Sequence, residues 1–189
     1  EYAVALGHQA GNVNQKDNAI AIGKNAGLTQ QDSASVAIGQ NSGRLNQGYR
    51  TVAIGNNSGR NGQGIHSVSI GYEAARDSQA VDSIAIGRES GKTTQGGSAV
   101  AIGVQAGLTG QSGFGTAVGG LAGKQSQGVA GTAVGYGAGS ASQGTGSVAF
   151  GYLAGFTGQG ANSVAIGNSA ATANQGANGI IINSTGAAL

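Results

Sequence analysis

The residues able to do chemistry are few in this chain, and their placement decides what they can do. There are two histidines, His8 and His66, four aspartates, Asp17, Asp32, Asp77 and Asp82, and no cysteine. Thiolate metal sites and disulfide frameworks are therefore excluded. The histidines and aspartates show no metal-ligand spacing. Neither a G-x-G-x-x-G nor a Walker-type phosphate loop occurs, despite 39 glycines. Glu73, Asp77, Asp82 and Glu89 are near enough in register to suggest a carboxylate pair, but solvated surface charge accounts for them better. No catalytic residue, metal site or cofactor is expected. The stronger signal is basic: Arg44, Arg60, Arg76 and Lys92 recur every 16 residues, with Lys124 further on. Such a column could hold a polyanion such as sulfated glycan or lipopolysaccharide, or could be a solvated edge that discourages lateral aggregation.

The spacing of that column is the spacing of the whole chain. Gly7, Gly23, Gly39, Gly55, Gly71, Gly87, Gly103, Gly119, Gly135, Gly151 and Gly167 stand 16 residues apart without insertion or deletion, and Asn183 takes the next place. Eight residues after each Gly stands a glutamine: Gln15, Gln31, Gln47, Gln63, Gln79, Gln95, Gln111, Gln127, Gln143, Gln159 and Gln175. An unconstrained linker would drift in length, so each 16-mer must be one turn of a regular object. Amide side chains at every turn suit a structural ladder that donates and accepts along the axis.

The three residues before each Gly alternate large, small, large, as in Val36-Ala37-Ile38, which is the period-2 signal of a strand. The Gly-, Asn-, Ser- and Thr-rich stretches between read as turns. Two short strands and two turns make one coil of a β-solenoid, stable only when stacked on its neighbours. About twelve coils at about 4.8 Å each give a rod near 55–60 Å long. The expected fold is all-β, a single repeat domain over 1–189. The Val and Ile columns are expected to form its thin interior. The alanines between them (Ala37, Ala53, Ala85, Ala101, Ala117, Ala133, Ala149 and Ala165) would then face outward and form a subunit-interface column.

Composition removes other classes. Only 8% of residues are charged and 4% aromatic, with no proline. The absence of proline and of a G-X-Y period excludes collagen. No apolar run is long enough to span a membrane, and a net charge of +2 is too small to argue for nucleic acid. The missing start Met and signal segment suggest a piece of a longer fibre.

The triplets with a leading serine, Ser35-Val36-Ala37-Ile38-Gly39, Ser67-Val68-Ser69-Ile70-Gly71 and Ser163-Val164-Ala165-Ile166-Gly167, resemble the head repeats of YadA-type trimeric autotransporter adhesins. The fuller 16-residue pattern is similar to YadA-head-like repeats in fibre proteins of phages and large DNA viruses. The ending from Ile180 to Leu189 looks like the place where such viral arrays stop. The resemblance implies a left-handed parallel β-roll, a homotrimer, and an extracellular location on a cell surface (outer-membrane displayed) or a virion fibre.

The function expected is therefore a non-catalytic structural and attachment module, with a host-surface glycan or matrix protein as partner and no direct membrane insertion. Tyr136 and Tyr152, with Leu153 and Phe156 nearby, could offer aromatic faces to sugar rings, although lateral packing is the commoner role of such residues. A self-assembling filament is the alternative. Ice binding ranks lower, because its best threonine column (Thr29, Thr93, Thr109, Thr157) is incomplete.

Overall fold

Short β-branched triplets cannot bury a core alone, so they must pair with copies of themselves, and the computed structural model, which describes residues 2–182, shows that pairing. The chain forms a β-solenoid of about 11 turns. Each coil carries a triplet strand such as Val36–Ile38 and, in most coils, a second strand ending at the glutamine, such as Leu45–Gln47. The triplets form a 12-stranded parallel sheet and the glutamine strands a 9-stranded one. Register is one repeat throughout: Val36 pairs with Val52, Ala37 with Ala53, Ile38 with Ile54, and Gln47 with Gln63. Past the ninth strand, bridges Ala141–Thr157–Ala173 carry the second wall on. Backbone bonds between coils continue through the turns, as in Asn41 N–H to Lys24 O (2.9 Å) and Gly43 N–H to Ser58 O (2.9 Å). The expected ending lies outside the described residues from Asn183 onward.

The sidedness of the triplet is the reverse of that expected. Ala37, Ala53, Ala85, Ala101, Ala117, Ala133, Ala149 and Ala165 are fully buried within one chain. They line the interior and cannot be a subunit-interface column. The large residues flanking them, mostly Val and Ile, point outward and are mostly half-buried, with Ile102 36% and Phe150 53% exposed. The reason is width. The interior must hold the glutamine side chains reaching across from the opposite sheet, together with small residues of the long turn such as Ala26 and Ser42. Facing Ala101, a Cβ built on Gly107 would already lie 3.2 Å from the Ala101 Cβ. There is no room there for a branched side chain.

The leading serine of the triplet is also inside, where it closes the short turn. Ser83 Oγ donates to Ala80 O (2.7 Å) and Ser163 Oγ to Gly160 O (2.6 Å). The second strand is kinked: its middle residue, for example Asn46 (φ 53°) or Thr94 (φ 56°), is left-handed. That is why only its first and third residues pair across coils.

Candidate functional site

The glutamine column runs inside the rod. Gln111 is 1% exposed. Its Nε2 donates to Val100 O (2.8 Å) on the opposite sheet, to Gly115 O (3.1 Å) and to Gln127 Oε1 (3.0 Å). Such an amide ties the two walls of its coil and bonds the next coil. The amide-to-amide chain is continuous from Gln79 through Gln95, Gln111, Gln127 and Gln143 to Gln159. It is also made at Gln15–Gln31 and Gln47–Gln63. The buried oxygens without a partner, on Gln47, Gln79 and Gln175, are the acceptors at its interruptions. At one of them the cause is visible: Ser69 stands where most triplets have alanine, and its Oγ takes the Gln63 amide at 3.2 Å. This column belongs to the fold and offers nothing to a ligand.

The basic column lies at the surface with Arg44, Arg60, Arg76 and Lys92 each half-buried, and the structure divides it in two. Beside it, on the long turn, runs a second polar column that sequence reasoning passed over: Asn25, Asn41, Asn57, Glu73, Glu89 and Gln105. Its asparagines bond one another, Asn25 to Asn41 at 3.0 Å and Asn41 to Asn57 at 3.2 Å, and Gln105 donates to Glu89 at 2.8 Å. The acids of this column take up half of the cations. Lys92 Nζ lies 2.7 Å from Glu73 and 2.8 Å from Glu89. Arg76 is 2.8 Å from Asp77 and 3.4 Å from Glu73. Arg44 and Arg60 face asparagines in the corresponding places and make no ion pair within 4.0 Å among the described residues. The clue in the sequence was the residue three positions before each cation: Asn41 and Asn57 against Glu73 and Glu89.

Three of the carboxylates, Glu89, Asp77 and Asp32, titrate low. Hydrogen bonds from Gln105 and Lys92 hold Glu89 below its ordinary value of 4.5. At Asp77 burial pushes the pKa up, but hydrogen bonds from Arg76 and Asn61 outweigh it and the net shift is downward. Asp32 is lowered by the Ser33 N–H and then by Lys16. A carboxyl with a depressed folded pKa adds stability above its unfolded pKa and loses it as pH falls through the folded value. The melting temperature should therefore hold from pH 8 to about 5 and fall below about 4. Each partly exposed pair contributes about 0.2–1 kcal/mol. Glu89→Gln should flatten the acid limb in a thermal melt; an unchanged limb would deny the pair that role.

The other charged and aromatic groups are scattered. Among the described residues no three His, Cys, Asp or Glu side chains converge to hold a metal. Among the described residues no helix is long and apolar enough to cross a membrane. His66 meets Asp82 at 3.3 Å on the short-turn edge. A shallow polar cleft of about 610 Å³ lies over Asn14, Gln30, Asn46 and the Lys16–Asp32 pair. Tyr136 and Tyr152 stack at 5.7 Å and 14°, and a Cβ on Gly120 would lie 3.3 Å from the Tyr136 ring. The two rings turn faces toward each other and Tyr136 packs against the coil before it, while Tyr136 stays 52% and Tyr152 53% exposed.

Comparison with family models, with curated proteins and with solved structures finds no match to this chain.

Proposed function

We propose that the chain is a non-catalytic structural and attachment module: a stiff segment of an extracellular or virion-surface fibre in which three copies join through the outer face of the triplet sheet. The observation that carries this reading is the Val/Ile face. Two columns, from Val4 and Leu6 to Ile180 and Ile182, run along all twelve strands with no charged residue in either. Over about 55 Å by roughly 10 Å this is on the order of 500 Å² of flat apolar surface, at the upper end of what a monomer leaves in water. Threonine at 116 and 132 is its only polar interruption. Three copies is the number implied by the S-V-A-I-G resemblance. A face that repeats at every coil gives a rod whose association strengthens with length, and weak contacts on its outer sides gain from multivalency.

Native mass by light scattering tests the reading. Three times 18.1 kDa is expected, and Ile54→Glu with Ile86→Glu should give a monomer that keeps its β-sheet circular dichroism. A monomeric parent chain would overturn the proposal. Ala101→Glu is a different perturbation, since it places a charge in the interior and should unfold the coil.

A further inference from the structure

Arg44 and Arg60 stand on adjacent coils, so their side chains leave the backbone about 4.8 Å apart along the axis. Between Asp32 and Glu73 the chain has no acid, while it carries Arg44, Arg50 and Arg60. One coil further, the same two columns are neutralised: Glu73 and Glu89 clasp Lys92, and Asp77 and Glu73 hold Arg76. The carboxylate nearest to Arg60 is already engaged, because Asp77 accepts from Asn61 at 2.8 Å through one oxygen and from Arg76 at 2.8 Å through the other. The neighbouring asparagines spend their amides on other asparagines: Asn41 donates to Asn57, and Asn57 to Asn56. The Arg60 Nε is buried and has no hydrogen-bond partner. A buried donor without an acceptor is rare in folded proteins and is satisfied by an outside acceptor where one can reach it.

We infer that Arg44 and Arg60 form an oxyanion site, complete within one chain, that takes a sulfate or phosphate group through their paired guanidinium forks. A tetrahedral oxyanion has acceptors enough for both forks, and charge-assisted bonds of this kind are stronger than neutral ones. The site goes beyond the fibre reading and does not depend on association through the Val/Ile face. Of the four cations in the column only these two count: Arg76 and Lys92 lend the locality little net charge because their acids answer them. The polymers that fit are those bearing sulfate or phosphate esters at intervals, with further contacts contributed by neighbouring copies of the rod.

The test uses the full 189-residue chain at low ionic strength, with three probes: inorganic sulfate or phosphate, dextran sulfate against plain dextran, and phosphatidylglycerol vesicles. Arg44→Gln with Arg60→Gln should weaken binding of the responding probe about ten-fold or more. Arg88→Gln with Lys124→Gln, which changes net charge equally, should alter it less than about two-fold. The sharper variant is Asn57→Glu, which removes no cation and restores the arrangement seen one coil on. Position 57 tolerates it, because Asn57 (φ 56°) has the same backbone conformation as Glu73 (φ 54°) and Glu89 (φ 57°). It should abolish binding with the melting temperature retained. Which probe responds identifies the source of the anion: free ion, polymer or lipid headgroup. Binding of no probe by the parent chain, or binding by Asn57→Glu or by the double Arg variant as tight as the parent's, overturns the site.

Discussion

Gly87→Ala is expected to destabilise the rod by about 3–5 kcal/mol, the sum of a backbone conformation that only glycine adopts readily and a collision with backbone. Gly87 has φ +124°, and a Cβ there would lie 2.7 Å from Gly103 O and 2.8 Å from Gly103 C. Neither atom can yield, since both belong to the next coil's continuous ladder. The same holds along the column, where Gly39 would meet Gly55 and Gly55 would meet Gly71. Because stability in a stacked array is carried by nearest neighbours, the lesion should divide the rod, and a urea melt should resolve two transitions in place of one. Two other glycines calibrate the effect. Gly62→Ala has nothing within 4 Å but φ +69°, and should cost about 1–2 kcal/mol. Gly176→Ala meets nothing and needs no left-handed backbone, so it should be neutral or slightly stabilising, by about 0.4–1 kcal/mol. A Gly87→Ala variant as stable as Gly176→Ala would contradict the close approach of the coils.

Gln111→Leu is expected to cost about 2–4 kcal/mol although it keeps nearly the same volume. It removes the donor to Val100 O, Gly115 O and Gln127 Oε1, and the acceptor of Gln95 Nε2 at 3.2 Å. Leucine at the exposed Gln125, two positions outside the central ladder residue, should change stability by less than about 0.5 kcal/mol. Gln111→Glu should be worse still at pH 7. A carboxylate there would face three oxygen acceptors with no donor of its own, in an interior with no cation. Burial and those acceptors raise its folded pKa above the unfolded one. The destabilisation is therefore full above both values and eases as pH falls, because the neutral acid regains one donor. Thermal melts at pH 7 and pH 4 would show recovery on acidification, opposite in sign to the acid limb of the parent chain. Equal melts for Gln111→Leu and the parent would mean the ladder carries no stability.

Much of the architecture was legible as a sequence. A period of 16 held over eleven glutamines leaves one geometry, stacked coils in one-repeat register, because any other arrangement would tolerate a change of loop length. The ladder role of the glutamines followed from their presence at every coil. What period-2 alternation could not say was which face of the triplet turns inward: it reports that Val36 and Ile38 share a side, not which side that is. The internal variation among coils did hold the answer. The Val/Ile columns admit Thr116, Thr132 and Phe150, residues of quite different size and polarity, while the column between them stays small except at Ile181. A column that tolerates phenylalanine faces open space; one held to alanine is limited by what stands opposite it.

The division of the basic column shows the same boundary between the two kinds of knowledge. Arg44, Arg60, Arg76 and Lys92 are equivalent by spacing, and the sequence by itself determined that they form a row. Whether a cation in that row is free depends on a residue from another column: Glu73 reaches Lys92 a full coil away, while Asn41 and Asn57 bond each other. Periodicity determined the coil, its length, the stacking direction and the glycine and glutamine columns, because each of these is a repeated local constraint. Only the tertiary structure decided the inside from the outside and the neutralised charge from the free one, because both turn on the distance across a narrow interior or between coils, where side-chain volume and reach set the outcome.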